Sequence, residues 1–109
     1  MTLRVFAQRD VAAAKAHAAA GGQALHLHKI IPDRRRAPRC FVAAVDRGEF
    51  IAHLFDLDRE RLIRTVRALG VRVIHVDRDG EPGQHIDLCG APLRKLLAAV
   101  PPEPVSPLT

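Results

Sequence analysis

The stretch 58–70, "DRERLIRTVRALG", constrains the fold of this chain more than any other. Leu62, Val66 and Leu69 recur at i, i+4 and i+7 with Ile63 beside them, which draws an apolar stripe along one side of a helix. Glu60 can support Arg64 four residues later, Asp56 or Asp58 offers a start, and Gly70 offers a stop. A helix with one apolar stripe must bury it against another element. The β-branched run "VRVIHV" at 71–76 follows with no spare residues and is expected as a strand.

The same alternation runs through the rest of the chain. "LRVFA" at 3–7 reads as a strand, and Asp10 as the N-cap of a helix "VAAAKAHAAA" that stops at Gly21-Gly22. A second strand is expected at 24–31. After the loop "PDRRRAPR", "CFVAAV" at 40–45 reads as a third strand, with "DRGE" folding "FIAHLF" back beside it as a hairpin. "DRDGEPG" leads to a short "HIDL", and Pro92 opens a last helix through about Ala99. The order predicts an α+β fold over residues 1–100: a split β-α-β, ferredoxin-like layout with an added hairpin strand and a C-terminal helix. Residues 101–109, "PPEPVSPLT", hold four prolines in nine and are expected to form a disordered tail.

Composition bounds the class. Hydrophobic residues make up 48% of the 109, but seventeen of them are Ala and only four are Phe, so the core is small and a homo-oligomer is expected. No signal peptide precedes the chain and no apolar run reaches the roughly 18 residues a span requires, which implies a reduced cytoplasmic protein with no membrane partner. Cys40 and Cys89 lack C-x-x-C spacing and are expected as small core residues. No P-loop, dinucleotide glycine pattern or catalytic serine arrangement is present, and "GEPG" is a turn.

The segment 53–99 resembles a bacterial domain-of-unknown-function family of short proteins. "HLFDLD", "RALG" and "HIDL" match its His-Leu-x-x-Asp helix start, its helix ending in Leu-Gly and its later His-x-Asp before a terminal helix. That resemblance implies no activity. RNA-recognition motifs share the strand and helix order but place two or three stacking aromatics on the central strands, and only Phe6 and Phe41 are candidates here.

Two clusters carry chemistry. The net charge is +5, and residues 29–39 alone contribute +4 through Lys29, Arg34, Arg35, Arg36 and Arg39 against Asp33. Guanidiniums concentrated in one loop suit phosphate contacts, and the leading expectation is a non-enzymatic module that binds a polyanion, nucleic-acid backbone first. Fourteen of the seventeen basic residues are Arg, a preference that GC-rich coding also produces. Arg59, Arg61, Arg64 and Arg67 extend the patch only in part, since Asp56, Asp58 and Glu60 offset them.

The second cluster is histidine-rich. In "ALHLHK", His26 and His28 share one face of a strand, because side chains alternate along it. With His85 and Asp87 they make a candidate ligand set for Zn, Mn or Fe, with His53, Asp56, His75 and Asp77 as alternates. In that alternative the protein is a metal-dependent hydrolase whose bound water attacks a phosphorylated substrate gripped by the arginine loop. His75, beside Val71 and Val73, also fits a half-buried core histidine, and His17 a surface or interface residue. A third expectation is a partner subunit with no activity of its own.

Overall fold

The computed structural model describes residues 3–100. Four strands form one mixed sheet in spatial order β1 (Leu3–Phe6), β2 (Gln23–His28), β3 (Ile51–Phe55), β4 (His85–Leu88). β1 runs parallel to β2, with a 3-10 turn at Gln8–Asp10 and helix α1 (Val11–Ala19) making the crossover. The pairs β2/β3 and β3/β4 are antiparallel. α2 (Arg39–Asp46) and α3 (Arg59–Ala68) connect β2 to β3 and β3 to β4, and α4 (Gly90–Ala99) is the expected C-terminal helix. The class is α+β.

Register gives the sheet two unlike faces. Leu25 pairs with Leu54 and Leu54 with Ile86, while Leu27 pairs with Ala52 and Ala52 with Leu88. This all-aliphatic face is covered by Leu62 and Val66 of α3 and Leu93 and Leu96 of α4 in one buried core. Each large aliphatic side chain contributes about 1.5–3 kcal/mol there by leaving water. On the opposite face His26 pairs with His53 and His53 with Asp87, and Phe55 pairs with His85. α1 caps one end of this second face, where Ala14 and Ala18 pack with Phe6, Ala24 and Phe55.

Asp56, completely buried at the end of β3, locks the sheet to α3. Its carboxylate accepts from Arg61 Nε at 2.8 Å, an Arg61 terminal nitrogen at 2.7 Å, Gln23 Nε2 at 2.8 Å and the Asp58 backbone N–H at 2.9 Å. Asp58 caps α3 by accepting from the Arg61 N–H. A buried carboxylate with this many donors is a satisfied structural anion.

Two local expectations are corrected, and the expected disordered tail is not among the residues described. Residues 40–45 are helical, so the added hairpin strand is absent: both edges of β3 are occupied by β2 and β4, and an apolar run of six is ambiguous until its partners are known. Pro38 starts that helix in extended conformation, and Phe41, Ala44 and Val45 fall at helical spacing. Residues 71–76 form no strand; Val71, Ile74 and Val76 pack against the core from a loop, and only Asp77 bridges to His85. Residues 101–109 lie outside the described residues.

Candidate metal centre

The polar face of the sheet gathers titratable side chains from three strands. Among the described residues, His53 of β3 and His85 and Asp87 of β4 place one ligand atom each within 4.8 Å of one another. His53 Nδ1 lies 2.6 Å from Asp87 Oδ1, and His85 Nε2 lies 3.4 Å from the same oxygen. His28 stacks on His53 with ring centroids 4.4 Å apart, and His53 meets the edge of His85 at 4.7 Å.

The hydrogen bonds orient these groups as ligands. His85 Nδ1 faces the Gly83 carbonyl at 2.8 Å, and a carbonyl can only accept, so Nδ1 donates. Nε2 faces Asp87: the protonated ring donates to that carboxylate, and loss of the proton exposes the Nε2 lone pair there. Burial works against the charge on Asp87, but hydrogen bonds from His53 and His85 outweigh it and hold the carboxyl well below the usual range. Burial likewise opposes protonation of His85, yet the Asp87 and Gly83 hydrogen bonds raise its pKa overall. His28 is the opposite case: burial, then the neighbouring His53 and His26, lower it to about 4. It is a neutral imidazole at neutral pH.

A cavity of about 350 Å³ opens beside this cluster, with His28, His53 and Asp87 on its polar side and Ile30, Pro38 and Phe41 among its apolar residues. Its walls come from the loop that follows β2 and from the start of α2. Arg36 also reaches it.

The expected ligand set of His26, His28, His85 and Asp87 is therefore revised. His85 and Asp87 converge, but their partner is His53, previously only an alternate. His26 is buried, with Nε2 2.8 Å from the Gln8 carbonyl, and lies outside the converging trio. Its Nδ1 is buried without a hydrogen-bond partner. His28 flanks the trio. Asp56 is committed to Arg61. His75 is 85% exposed and pairs with Asp77 at 3.2 Å, so it is not the half-buried core residue expected. Asp77 also approaches His85 at 3.7 Å. His17 is half-buried on α1, with its ring 5.8 Å from that of Phe6 and hard against Gly22. His53 was in principle legible, since it alternates with Phe55 in "FIAHLF", but only the β3/β4 register puts it opposite Asp87.

The five cations of the polyanion expectation are all exposed but differently engaged. One Arg34 nitrogen donates to both Asp46 carboxylate oxygens at 2.8 and 2.9 Å, and Arg36 lies 3.5 Å from Asp33. The Lys29 ammonium sits 4.7 Å over the Phe50 ring. Arg35 and Arg39 have no carboxylate partner among the described residues.

Cys40 is exposed and Cys89 half-buried, so neither is a core residue. Burial and the adjacent Cys40 thiol push Cys89 up to about 12. Among the described residues no helix is long and apolar enough to cross a membrane. Searches of family models, curated proteins and solved structures found no match for the chain, so the functional reading rests on its own geometry.

Proposed function

We propose that the protein binds a divalent transition metal, Zn first, through His53, His85 and Asp87, and uses it for hydrolysis of a small substrate held in the adjoining cavity. The observation that carries this reading is the convergence of two imidazoles and one carboxylate within 4.8 Å beside that cavity. Two nitrogens and one oxygen are a donor set that suits Zn, Mn or Fe. Three protein ligands leave a coordination position open, the arrangement of catalytic rather than structural zinc. A bound ion would supply an activated water at that position. His28, 4.4 Å from His53 ring to ring, lines the cavity beside that position as a neutral polar group that a substrate could contact. Arg36 lines the cavity together with Asp33, 3.5 Å away, so the polar rim carries both signs of charge.

Elemental analysis of untagged protein purified without chelator tests the site, together with the visible spectrum after Co(II) substitution. Stoichiometric metal with intense tetrahedral Co(II) bands, both lost in His53→Ala and Asp87→Ala, is the expected result. No metal uptake by chelator-treated protein at micromolar Zn would remove the proposal.

Polyanion binding is the second reading, favoured by the free guanidiniums of Arg35 and Arg39. It ranks lower because Arg34 and Arg36 already face carboxylates. Fluorescence anisotropy with labelled oligonucleotides at several salt concentrations tests it. Arg35→Gln with Arg39→Gln should weaken binding uniformly across sequences and reduce its salt dependence.

A further inference from the structure

A second cavity, about 450 Å³, lies between α1 and the loop joining Asp77 to His85, away from the arginine loop. Its size is that of small-molecule sites. Ala19, Phe55, Leu57 and Pro82 give it apolar walls, Lys15 and Arg78 are the charged residues lining it, and no carboxylate is among them. Neither cation has an ion pair or side-chain hydrogen bond among the described residues. Two uncompensated positive charges over an apolar floor are complementary to an anion with a hydrophobic body.

The backbone at Arg78 points the same way. Arg78 is the one non-glycine residue among those described with positive φ, at 54°. A side chain in that region is held there by its surroundings, and such outliers concentrate at ligand sites. The surroundings are on hand. Asp77 and His85 exchange backbone hydrogen bonds of 2.8 and 3.0 Å, and the Glu81 N–H donates to the Arg78 carbonyl at 2.9 Å. Gly80 N–H donates to buried Gln84 Oε1 at 2.8 Å, while Gln84 Nε2 donates to the Asp56 carbonyl at 2.9 Å. Arg59 ties Asp79 at 2.9 Å. The loop that presents Arg78 is thus anchored to the buried Asp56 network.

We infer that this cavity is a binding site for a small organic phosphate monoester with a planar apolar body, its oxyanion between Lys15 and Arg78 and its body against Phe55 and Leu57. A dianionic head matches two cations better than a carboxylate does. The inference needs no metal, so it stands apart from the proposed centre.

Isothermal titration of EDTA-treated protein with phenyl phosphate, benzoate, inorganic phosphate and benzyl alcohol tests it. Saturable one-to-one binding of phenyl phosphate is expected, tighter than that of the other three. Arg78→Gln and Lys15→Gln should each weaken it about tenfold or more. Both side chains are exposed, and circular dichroism confirms that the variants fold. Arg72→Gln, a cation that lines neither cavity, should bind phenyl phosphate as the wild type does, and because the protein is metal-free the result is separate from the fate of the metal proposal. Absence of saturable binding, undiminished binding in both cation variants, or equal affinity for benzyl alcohol would overturn the inference.

Discussion

Across the β3/β4 pair, His53 Nδ1 stands 2.6 Å from Asp87 Oδ1, a hydrogen bond between side chains that are each about 30% exposed. Without metal this bond is a local staple. A metal held by the trio would compete with protons for these ligands, so its binding would weaken as pH falls.

Thermal unfolding separates the two roles. Zn at 100 times its Kd should stabilise the wild type by about 2.7 kcal/mol through mass action. His85→Ala and Asp87→Ala should lose that rise in Tm. His26→Ala should keep it, since His26 faces the Gln8 carbonyl outside the trio. A metal-induced rise that survives Asp87→Ala would show that the ion sits elsewhere.

Removing Asp87 should also matter to the metal-free protein. Asp87→Ala strips His53 and His85 of a shared acceptor in a half-buried position, a loss of about 1–2 kcal/mol in denaturant unfolding. Asp56→Ala should cost more, about 3–5 kcal/mol, because it strands the Arg61 guanidinium and Gln23 around a fully buried site. If the two variants are equally stable, the structural weight given to Asp56 is wrong.

The sequence made some of this legible. The apolar stripe of Leu62 and Val66, the alternation of Leu25 and Leu27 with His26 and His28, and "HIDL" before a terminal helix are local signals, and the elements that carry them formed as expected. Residues 40–45 were not legible in that way. A short apolar run suits a central strand or a packed helix equally, and the outcome depends on whether β3 has a free edge. The converging trio needed the same non-local fact, since only the β3/β4 register sets His53 against Asp87. Arg78 gave no signal at all, because its positive φ and the cavity it lines beside α1 arise only in the folded chain.

His28 gives the metal-free protein an acid sensitivity whose sign is fixed. Its folded pKa, lowered by burial and by His53 and His26 to about 4, lies under the ordinary 6.5, so between those values the unfolded chain binds the extra proton. Stability should fall as pH drops from about 6.5 towards 4. His85 acts in the other sense: its raised pKa contributes stability that is present below 6.5 and lost as pH climbs through its folded value. Urea midpoints measured from pH 4.5 to 7 should slope upward with pH in the wild type and less steeply in His28→Ala. Identical slopes in the two proteins would refute the assignment to His28.

The two thiols should differ sharply in reactivity although they are neighbours. Alkylation requires the thiolate, and a Cys89 pKa of about 12 leaves roughly one molecule in ten thousand ionised at pH 8. Cys40 is exposed at the start of α2. Iodoacetamide at pH 8 should therefore give native protein a single adduct, on Cys40, and denatured protein two, as read by mass spectrometry of the peptides. Burial is the larger cause of the Cys89 shift and the Cys40 thiol the next, so Cys40→Ser should leave Cys89 slow to react. Equal labelling of both cysteines in the native protein would mean that the contact between the start of α2 and the N-cap of α4 opens readily in solution, and with it the α2 side of the cavity beside His53 and Asp87.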